Sequence, residues 1–438
     1  MKQRKMLLFA LVLACCVLSN VHLAWADKEI LTVERALRLA EQKNPAIAAS
    51  IEREKQAAAR LDQMKASELP KLAAAMLYQH TYQEQKHPVY IGGNQVGYAQ
   101  AGFQETYRAA VTLSYLLYSG GAVQNSVRAK KLTLDAYSAE SARIRQTVAN
   151  GVQNAYYDLH RAIAKLHVVE EALELAKEHL RQVDAFYRNG VVAKNEVLRV
   201  QVSVSDAELN RIRANNAVNV AWSALERAVG DRLLHAYDLP ESETLASPLS
   251  LPANPEEIAI RQRPEMKSLD SAMRSALASA RAAAASNGPN LVFEGEASKV
   301  GDEFFPEKMD DWKLSLIANW TFYDGGESRA KVREAKAAAD ELKYKTEDLK
   351  KQILLEVSVA ILNFTSSQQR LQVAQSQVAS AEEDYRMALT RYASQLGTNI
   401  DVLDARVALS NAKTQRVEAI YDTLTSRADL DYAIGKDI

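Results

Sequence analysis

The feature that most limits what this chain can fold into is its repetition. A shift of 205 positions carries Tyr118-Ser119-Gly120-Gly121 onto Tyr323-Asp324-Gly325-Gly326, Tyr187 onto Tyr392, Val197-Leu198 onto Val402-Leu403, and Ala228-Val229-Gly230 onto Ala433-Ile434-Gly435, without a gap. Upstream the shift becomes 219, so that Pro45 meets Pro264 and Pro70-Lys71-Leu72 meets Pro289-Asn290-Leu291. The two shifts differ by 14 residues, which the first copy carries as extra sequence between Pro70 and Tyr118. A tandem duplication means that whatever one copy folds into, the other is expected to fold into as well. The copies span 27–230 and 253–438, and a Pro-rich linker, 231–252, joins them.

Within each copy the hydrophobic period changes from two to seven. Along 105–118 the odd positions read Tyr107, Ala109, Val111, Leu113, Tyr115 and Leu117, against Thr106, Arg108, Thr112 and Ser114. Along 311–323, Trp312, Leu314, Leu316, Ala318, Trp320 and Phe322 alternate with Asp311, Lys313, Ser315, Asn319 and Thr321. Weaker alternation over 290–298 and 72–82 completes four strands, in hairpins at about 70–118 and 289–323. Alternation of this length, with aromatics near the ends, suits a transmembrane β-barrel; a soluble two-faced sheet packed on a helix is the competing reading. After each strand pair a heptad pattern begins. Val152, Leu159, Leu166, Leu173, Leu180 and Tyr187 recur every seven residues, and Val357, Phe364, Leu371, Val378, Tyr385 and Tyr392 repeat them. A second seam rich in Ala runs beside each, the signature of close-packed coiled coils. Long antiparallel helical hairpins are expected over 121–230 and 326–435, the first helix of each about 100 Å long.

The 54 Lys+Arg balance 55 Asp+Glu, so no net charge draws the chain to nucleic acid or anionic lipid. Lys2, Arg4 and Lys5, the apolar run 6–18 and Ala24-Trp25-Ala26 read as a secretory signal over 1–26. Cleavage after Ala26 is the expectation; Val12-Leu13-Ala14-Cys15 also fits a lipoprotein box, followed by a poorly suited apolar tether. Cleavage would remove both cysteines, Cys15 and Cys16, and with them any thiol chemistry. Four strands cannot close a barrel whose minimum is about eight, so several chains must pool their strands.

Together these residues resemble the TolC-like outer-membrane efflux proteins. The resemblance covers essentially the whole mature chain. It rests on the strand-hairpin, helix-hairpin order given twice, the opening LTVERALRLAEQKNPAI (31–47), the Tyr-x-Gly-Gly junctions and the element Asp401-Val402-Leu403-Asp404. It implies an α+β membrane protein: a homotrimer with a twelve-stranded outer-membrane barrel continuous with a twelve-helix periplasmic tunnel. It also implies docking of a periplasmic adaptor and, through it, an inner-membrane transporter, with no cofactor and no catalysis. In this light YRNGVVAKNEVL (187–198) and YASQLGTNIDVL (392–403) are the two tips of the helical hairpins.

Gly190 and Gly397 are expected to supply positive φ for the tip turns, and Asn195 and Thr398 or Asn399 to cap the returning helices. Val191, Val192 and Leu396 form either a hydrophobic staple across each turn or a contact patch for the adaptor. By the resemblance, Tyr392, Asp401 and Asp404, with Glu196 in the first copy, belong to a periplasmic gate. An arginine that the family uses as a latch falls here on Gly397, so Arg188 or Arg391 is the substitute. Three copies of Asp401 and Asp404 would form a cation-attracting ring. Glu196 and Asp401 also suit the first turn of any helix.

Two rival classes have less to stand on. No HExxH, GxSxG, P-loop or dinucleotide fingerprint appears. His160 and His167 lie seven apart on one helix face, as metal ligands or as ordinary packed and solvated histidines. A soluble periplasmic coiled-coil scaffold would explain the heptads but not the four alternating strands. The segments 83–102 and 300–310 read as polar, Gly-containing external loops.

Overall fold

The computed structural model describes residues 29–82, 86–100, 104–233, 237–240, 253–304 and 309–436. The signal segment with Cys15 and Cys16 and most of the linker fall outside these residues. The elements, in chain order, are β1 (Glu29–Ile30), α1 (Val33–Lys43), α2 (Pro45–Lys65), β2 (Lys71–His80), β3 (Lys86–Ile91), β4 (Asn94–Gln100), β5 (Glu105–Tyr118), α3 (Ala122–Arg188), α4 (Lys194–Val229) and β6 (Tyr237–Asp238). The second half adds α5 (Pro255–Gln262), α6 (Pro264–Ala285), β7 (Asn290–Gly301), β8 (Met309–Asn319), α7 (Glu327–Ala393) and α8 (Asn399–Ala433). The duplication is visible in the lengths: α3 and α7 each have 67 residues.

The chain forms two compact units, one of residues up to Lys43 with Ala155–Ser247, the other of Asn44–Asn154 with Pro248–Ile438. These units cut across the two copies, because the second unit contains strands from both. In the first unit Leu173 and Ala176 of α3 pack on Ala207 and Val204 of α4. The parallel pair β1–β6 is extended by the Leu31 N–H, which donates to the Asp238 carbonyl at 2.8 Å. The Tyr156 hydroxyl donates to the Leu31 carbonyl at 3.0 Å, tying this extended segment to α3.

In the second unit α7 and α8 form the long antiparallel hairpin, and its heptad seam is its core. Ile353, Val357, Phe364 and Leu430 are at most 1% exposed and pack together with Ala259 of α5. Small seam residues let the helices approach: Ser367 is wholly buried, its hydroxyl 2.9 Å from that of Ser426. Similarly, Ala129 and Leu132 of α3 enclose Ala278 of α6.

Four strands make one antiparallel sheet in the order β2-β5-β7-β8, so the two copies meet at the β5–β7 ladder. Residues directly opposite in an antiparallel ladder point to the same face. One row of the register reads Leu72, Leu113, Gly295, Leu314, and the next Ala74, Val111, Ala297, Trp312. On the other face the rows read Ala73, Thr112, Glu296, Lys313 and Lys71, Ser114, Glu294, Ser315. Arg108 and Glu296 form an ion pair on this polar face. The apolar side carries its large residues in the open: Leu72 is 73% exposed, Trp312 74% and Leu314 63%. No described helix covers them, which the soluble-sheet reading would require.

Two strand expectations shift at their ends. β7 runs three residues further than expected, to Gly301, while β8 stops at Asn319 and leaves Trp320, Phe322 and Tyr323 exposed beyond it. The segment 83–102 departs more, since it contains the strand pair β3–β4 rather than loop alone. Gly92 and Gly93, both at positive φ (60° and 86°), form the two-residue turn between Ile91 and Asn94. That backbone is the primed turn whose twist matches a hairpin. The extra residues of the first copy therefore go into a hairpin of their own.

Candidate functional site

The two tips are built on the same backbone with different side chains. At the first, α3 ends as the Gly190 N–H donates to the Tyr187 carbonyl (2.9 Å) and the Val191 N–H to the Phe186 carbonyl (2.9 Å). At the second, the Gln395 N–H donates to the Tyr392 carbonyl (3.0 Å) and the Leu396 N–H to the Arg391 carbonyl (2.8 Å). Both are Schellman endings, which need one residue in the left-handed region. Gly190 fills that place at φ 74°, and Gln395, not Gly397, fills it at φ 62°. Gly397 is small for another reason. A Cβ there would lie 3.1 Å from the Arg391 Cβ and 3.3 Å from the Tyr392 N, where the turn folds back on the helix it has just left.

The returning helices start differently. Thr398 caps α8: its hydroxyl accepts from the Asp401 N–H at 3.3 Å, while the Asp401 carboxylate accepts from the Thr398 N–H at 2.9 Å. The Thr398 N–H and hydroxyl, with a smaller contribution from the Arg391 charge, hold the Asp401 carboxyl below the usual carboxylate range. Ala193 stands at the matching place in the first copy, so α4 has no side-chain cap. Asn195 lies inside α4, one residue past Lys194, and does not act as the cap expected of it; Asn399 is likewise the first residue of α8. Glu196 keeps only a backbone bond, its N–H donating to the Ala193 carbonyl at 3.1 Å.

The expected gate residues divide between the units. At the second tip Asp401 and Asp404 are exposed and three apart on α8, and Tyr392 is buried at 6% exposure. Arg391 bridges the turn, Nη2 donating to the Leu396 carbonyl at 3.4 Å. At the first tip Arg188 is held by Asp184 on its own helix at 2.6 Å, and the Lys194 ammonium lies 5.0 Å over the ring of exposed Tyr187. Val191 and Leu396 are exposed, at 46% and 74%, and Val192 is half-buried. Periodicity did not single out Arg406, which is buried at 7% exposure in the same helix as Asp404. Burial lowers its pKa, against a smaller opposing influence from Tyr385.

The strand-to-helix junctions repeat a cap rather than a ligand site. The Ser119 hydroxyl accepts from the Val123 N–H at 3.2 Å, and the matching Asp324 carboxylate accepts from the Gly326 and Ser328 N–H groups at 3.0 and 2.8 Å. The hydroxyl and N–H of Ser328 hold Asp324 far below the ordinary carboxylate range. His160 is buried and its pKa is lowered to about 4 by that burial, whereas His167 is exposed. The two do not form a pair, and no cluster of three metal-binding side chains occurs among the described residues.

Comparison with known proteins agrees with this geometry. The family model described as outer membrane efflux protein matches residues 36–231 and 257–436. The chain is 23% identical over 348 residues to the toluene efflux pump outer membrane protein TtgC of Pseudomonas putida, covering 77% of this chain and 70% of that protein. It is 24% identical over 282 residues to the alkaline protease secretion protein AprF of Pseudomonas aeruginosa, covering 61% of this chain and 58% of that one. The fold is similar to that of the outer membrane protein VceC of Vibrio cholerae, with a TM-score of 0.76 at 19% identity, covering 92% of this chain and 96% of that one. No described helix is long and apolar enough to cross a membrane. The two-faced sheet, the duplicated hairpins and these matches make this chain a member of the outer membrane efflux protein family, an outer-membrane channel for efflux or secretion and not a soluble periplasmic adaptor.

Proposed function

We propose that three copies close the barrel, and that the resulting tube is a conduit, without catalysis of its own, fed by a periplasmic adaptor and an inner-membrane transporter. The observation that carries this is the sheet's two open edges, β2 and β8. In lipid each unpaired backbone group costs several kcal/mol, so the edges must pair with those of other chains. Along β5 the apolar face runs from Tyr107 to Tyr118, about 28 Å of height at ~3.3 Å per residue and ~40° tilt, close to the ~25 Å of a barrel's lipid band. On this reading each copy divides into a barrel part, about 70–118 and 289–323, and a tunnel part, about 121–230 and 326–435. A twelve-stranded assembly predicts a detergent-stable trimer by native mass spectrometry; a monomer needing no detergent would overturn the reading.

The tips are then the gate and the docking surface. Asp401 and Asp404 supply the acidic ring, and Arg391, spanning the turn beside Asp401, takes the latch position from which Gly397 excludes a side chain. Arg188, already held by Asp184, is the weaker substitute. Replacing both acids, Asp401→Ala with Asp404→Ala, is expected to change single-channel conductance and relieve block by divalent cations. Unchanged block would remove the acids from the gate. Each tip is an adaptor-docking surface of its own, Val191 and Val192 beside Gly190 at the first and Leu396 beside Gly397 at the second, and a photo-crosslinker at Val192 or Leu396 in living cells should capture the adaptor. The captured adaptor's own pump would then identify the cargo as small molecule, metal or protein.

A further inference from the structure

Helices α4 and α7 each carry two seams at heptad spacing, and only one of each is filled. In α4 the filled seam is Val197, Val200, Val204 and Ala207, the last two packed on Leu173 and Ala176 of α3. Leu198, Val202, Ser205, Leu209, Ile212 and Asn216 form the other, spaced alternately four and three, and all six are exposed. In α7 the buried Ser367, Ala374, Val378 and Tyr385 belong to the seam that meets α8, where the Ser367 hydroxyl reaches that of Ser426. Gln369, Val373, Ser376, Ser380, Glu383 and Met387 repeat the four-three spacing on the other side, again all exposed. Seams offset by two residues lie about 200° apart around a helix, so each open seam faces away from the partner its helix already has.

We infer that the two open seams are one interface between chains: the outer seam of α4 packs on the outer seam of α7 in the next chain. This rests on the trimer reading and names the helices that close the tube. Within the chain, the Asp429 carboxylate of α8 accepts from the Asn150 and Asn154 amides of α3, at 3.1 and 3.0 Å. That contact joins the two repeats through α3 and α8, which leaves α4 and α7 as the outer helix of each hairpin. Only seven residues separate α7 from β8, the sheet edge that must find a strand of another chain.

The register follows from the duplication. The 205-residue shift lays α4 over α8, and in the second hairpin Lys413 stands beside Glu382 and Ser426 beside Ser367. With the tips level, the same register sets Leu209 at the height of Ser380, Ile212 at Ser376 and Val202 at Met387. Branched side chains of α4 then enter a notch between short ones on α7, as knobs enter holes. The serines suit such a contact. Ser376 donates its hydroxyl to the Val373 carbonyl of its own helix at 2.9 Å, and Ser205 donates to the Gln201 carbonyl at 3.1 Å. Glu383, at the height of Ser205, is held by Arg386 of its own helix.

The test is disulfide formation in the full-length assembly, with two singly substituted chains co-expressed under different tags. Residues 27–438 contain no cysteine, so the introduced thiols report alone in the processed chain. Leu209→Cys with Ser380→Cys, and Val202→Cys with Met387→Cys, are expected to give covalent dimers of unlike chains on mild oxidation. Leu209→Cys with Leu355→Cys, whose second thiol lies 25 residues and about 37 Å further along α7, should give at least about tenfold less. A chain carrying both Leu209→Cys and Ser380→Cys should run as a covalent trimer. If that chain closes on itself as a monomer instead, the seams meet within one chain and the interface is overturned. Dimers no more abundant than in the Leu355→Cys pairing, from an assembly that native mass spectrometry shows to be trimeric, overturn the interface and leave the trimer standing. An assembly that is not trimeric overturns the reading beneath both.

Discussion

Gln395 occupies, at φ 62°, the left-handed position that Gly190 occupies at φ 74° one copy earlier. A side chain in that region costs about 1–2 kcal/mol, and nothing in the turn requires it. Gln395→Gly is therefore expected to stabilise the second tip by about 1 kcal/mol, read as slower amide exchange of Leu396 and Gly397. Gly397→Ala should do the reverse. Its Cβ meets the Arg391 Cβ and the Tyr392 backbone, neither of which is the free end of a side chain, so the turn opens and loses about 1–3 kcal/mol. If Gly397→Ala left exchange in this turn unchanged, the close approach would not be what keeps a latch side chain from this position.

The caps give a second contrast. Thr398→Ala removes half of the reciprocal pair and should cost about 1 kcal/mol in the second hairpin, while Ala193→Thr should add a similar amount to the first. A thermal melt of each variant in detergent checks both signs.

The same pair sets a pH dependence. Asp401 is depressed in the folded state, so its contribution is fully present above the ordinary aspartate value of about 3.9 and is lost as pH falls through the lower folded value. Protection of the Asp401 and Val402 amides, corrected for intrinsic exchange, should fall between pH 6 and pH 3 in the wild type. In Asp401→Asn it should be low at both.

The hairpins and the sheet were legible because burial writes a period into the sequence: two where one strand face meets lipid, seven where a helix meets its partner. Val357 and Phe364 sit where the heptad put them, and Trp312 and Leu314 share the face their alternation implied. The features that were not legible lack a period. The β3–β4 hairpin is two-sided and short, and its one signal, two glycines between Val-Tyr-Ile and Asn-Gln-Val, is equally the composition of a loop. At the second tip the glycine nearest the turn attracts the positive φ by residue type, whereas the 205-residue shift aligns Gly190 with Gln395. Arg406 is polar at a buried position, which no hydrophobic pattern reports.

The two faces of the sheet predict opposite tolerance to charge. Leu113→Arg places a guanidinium in the row of Leu72 and Leu314, in the lipid band, and should cost about 2–4 kcal/mol. Thr112→Arg, one residue away, enters the row of Glu296 and Lys313 and should be accepted. Outer-membrane abundance and heat-modifiable migration report the difference. Equal loss from both variants would mean that neither face lines water, and equal acceptance that neither meets lipid.

Arg263 is 2% exposed and holds two carboxylates, Nε on Glu265 at 2.6 Å and Nη1 on Glu356 at 2.6 Å. It is the residue between α5 and α6, and Glu356 lies on α7, so one guanidinium joins the short helices to the long hairpin beside the core of Ile353 and Val357. Glu265 also faces Arg143 at 3.4 Å, and the Arg143 guanidinium lies 4.3 Å over the Tyr432 ring. Removing the central cation leaves Glu265 beside Arg143 and leaves Glu356 without a cation, though its side chain is 36% exposed and still accepts from the Gln352 amide at 2.9 Å. Arg263→Met, similar in length and without charge, is therefore expected to lose about 3 kcal/mol rather than the upper end of the range for buried pairs. Arg263→Met with Glu356→Leu should recover part of that loss, because the only carboxylate then left at the gap is Glu265, which keeps Arg143 at 3.4 Å. Melting of the two variants in detergent decides it: a double variant as unstable as the single one would mean that Arg263 acts through packing and not through charge.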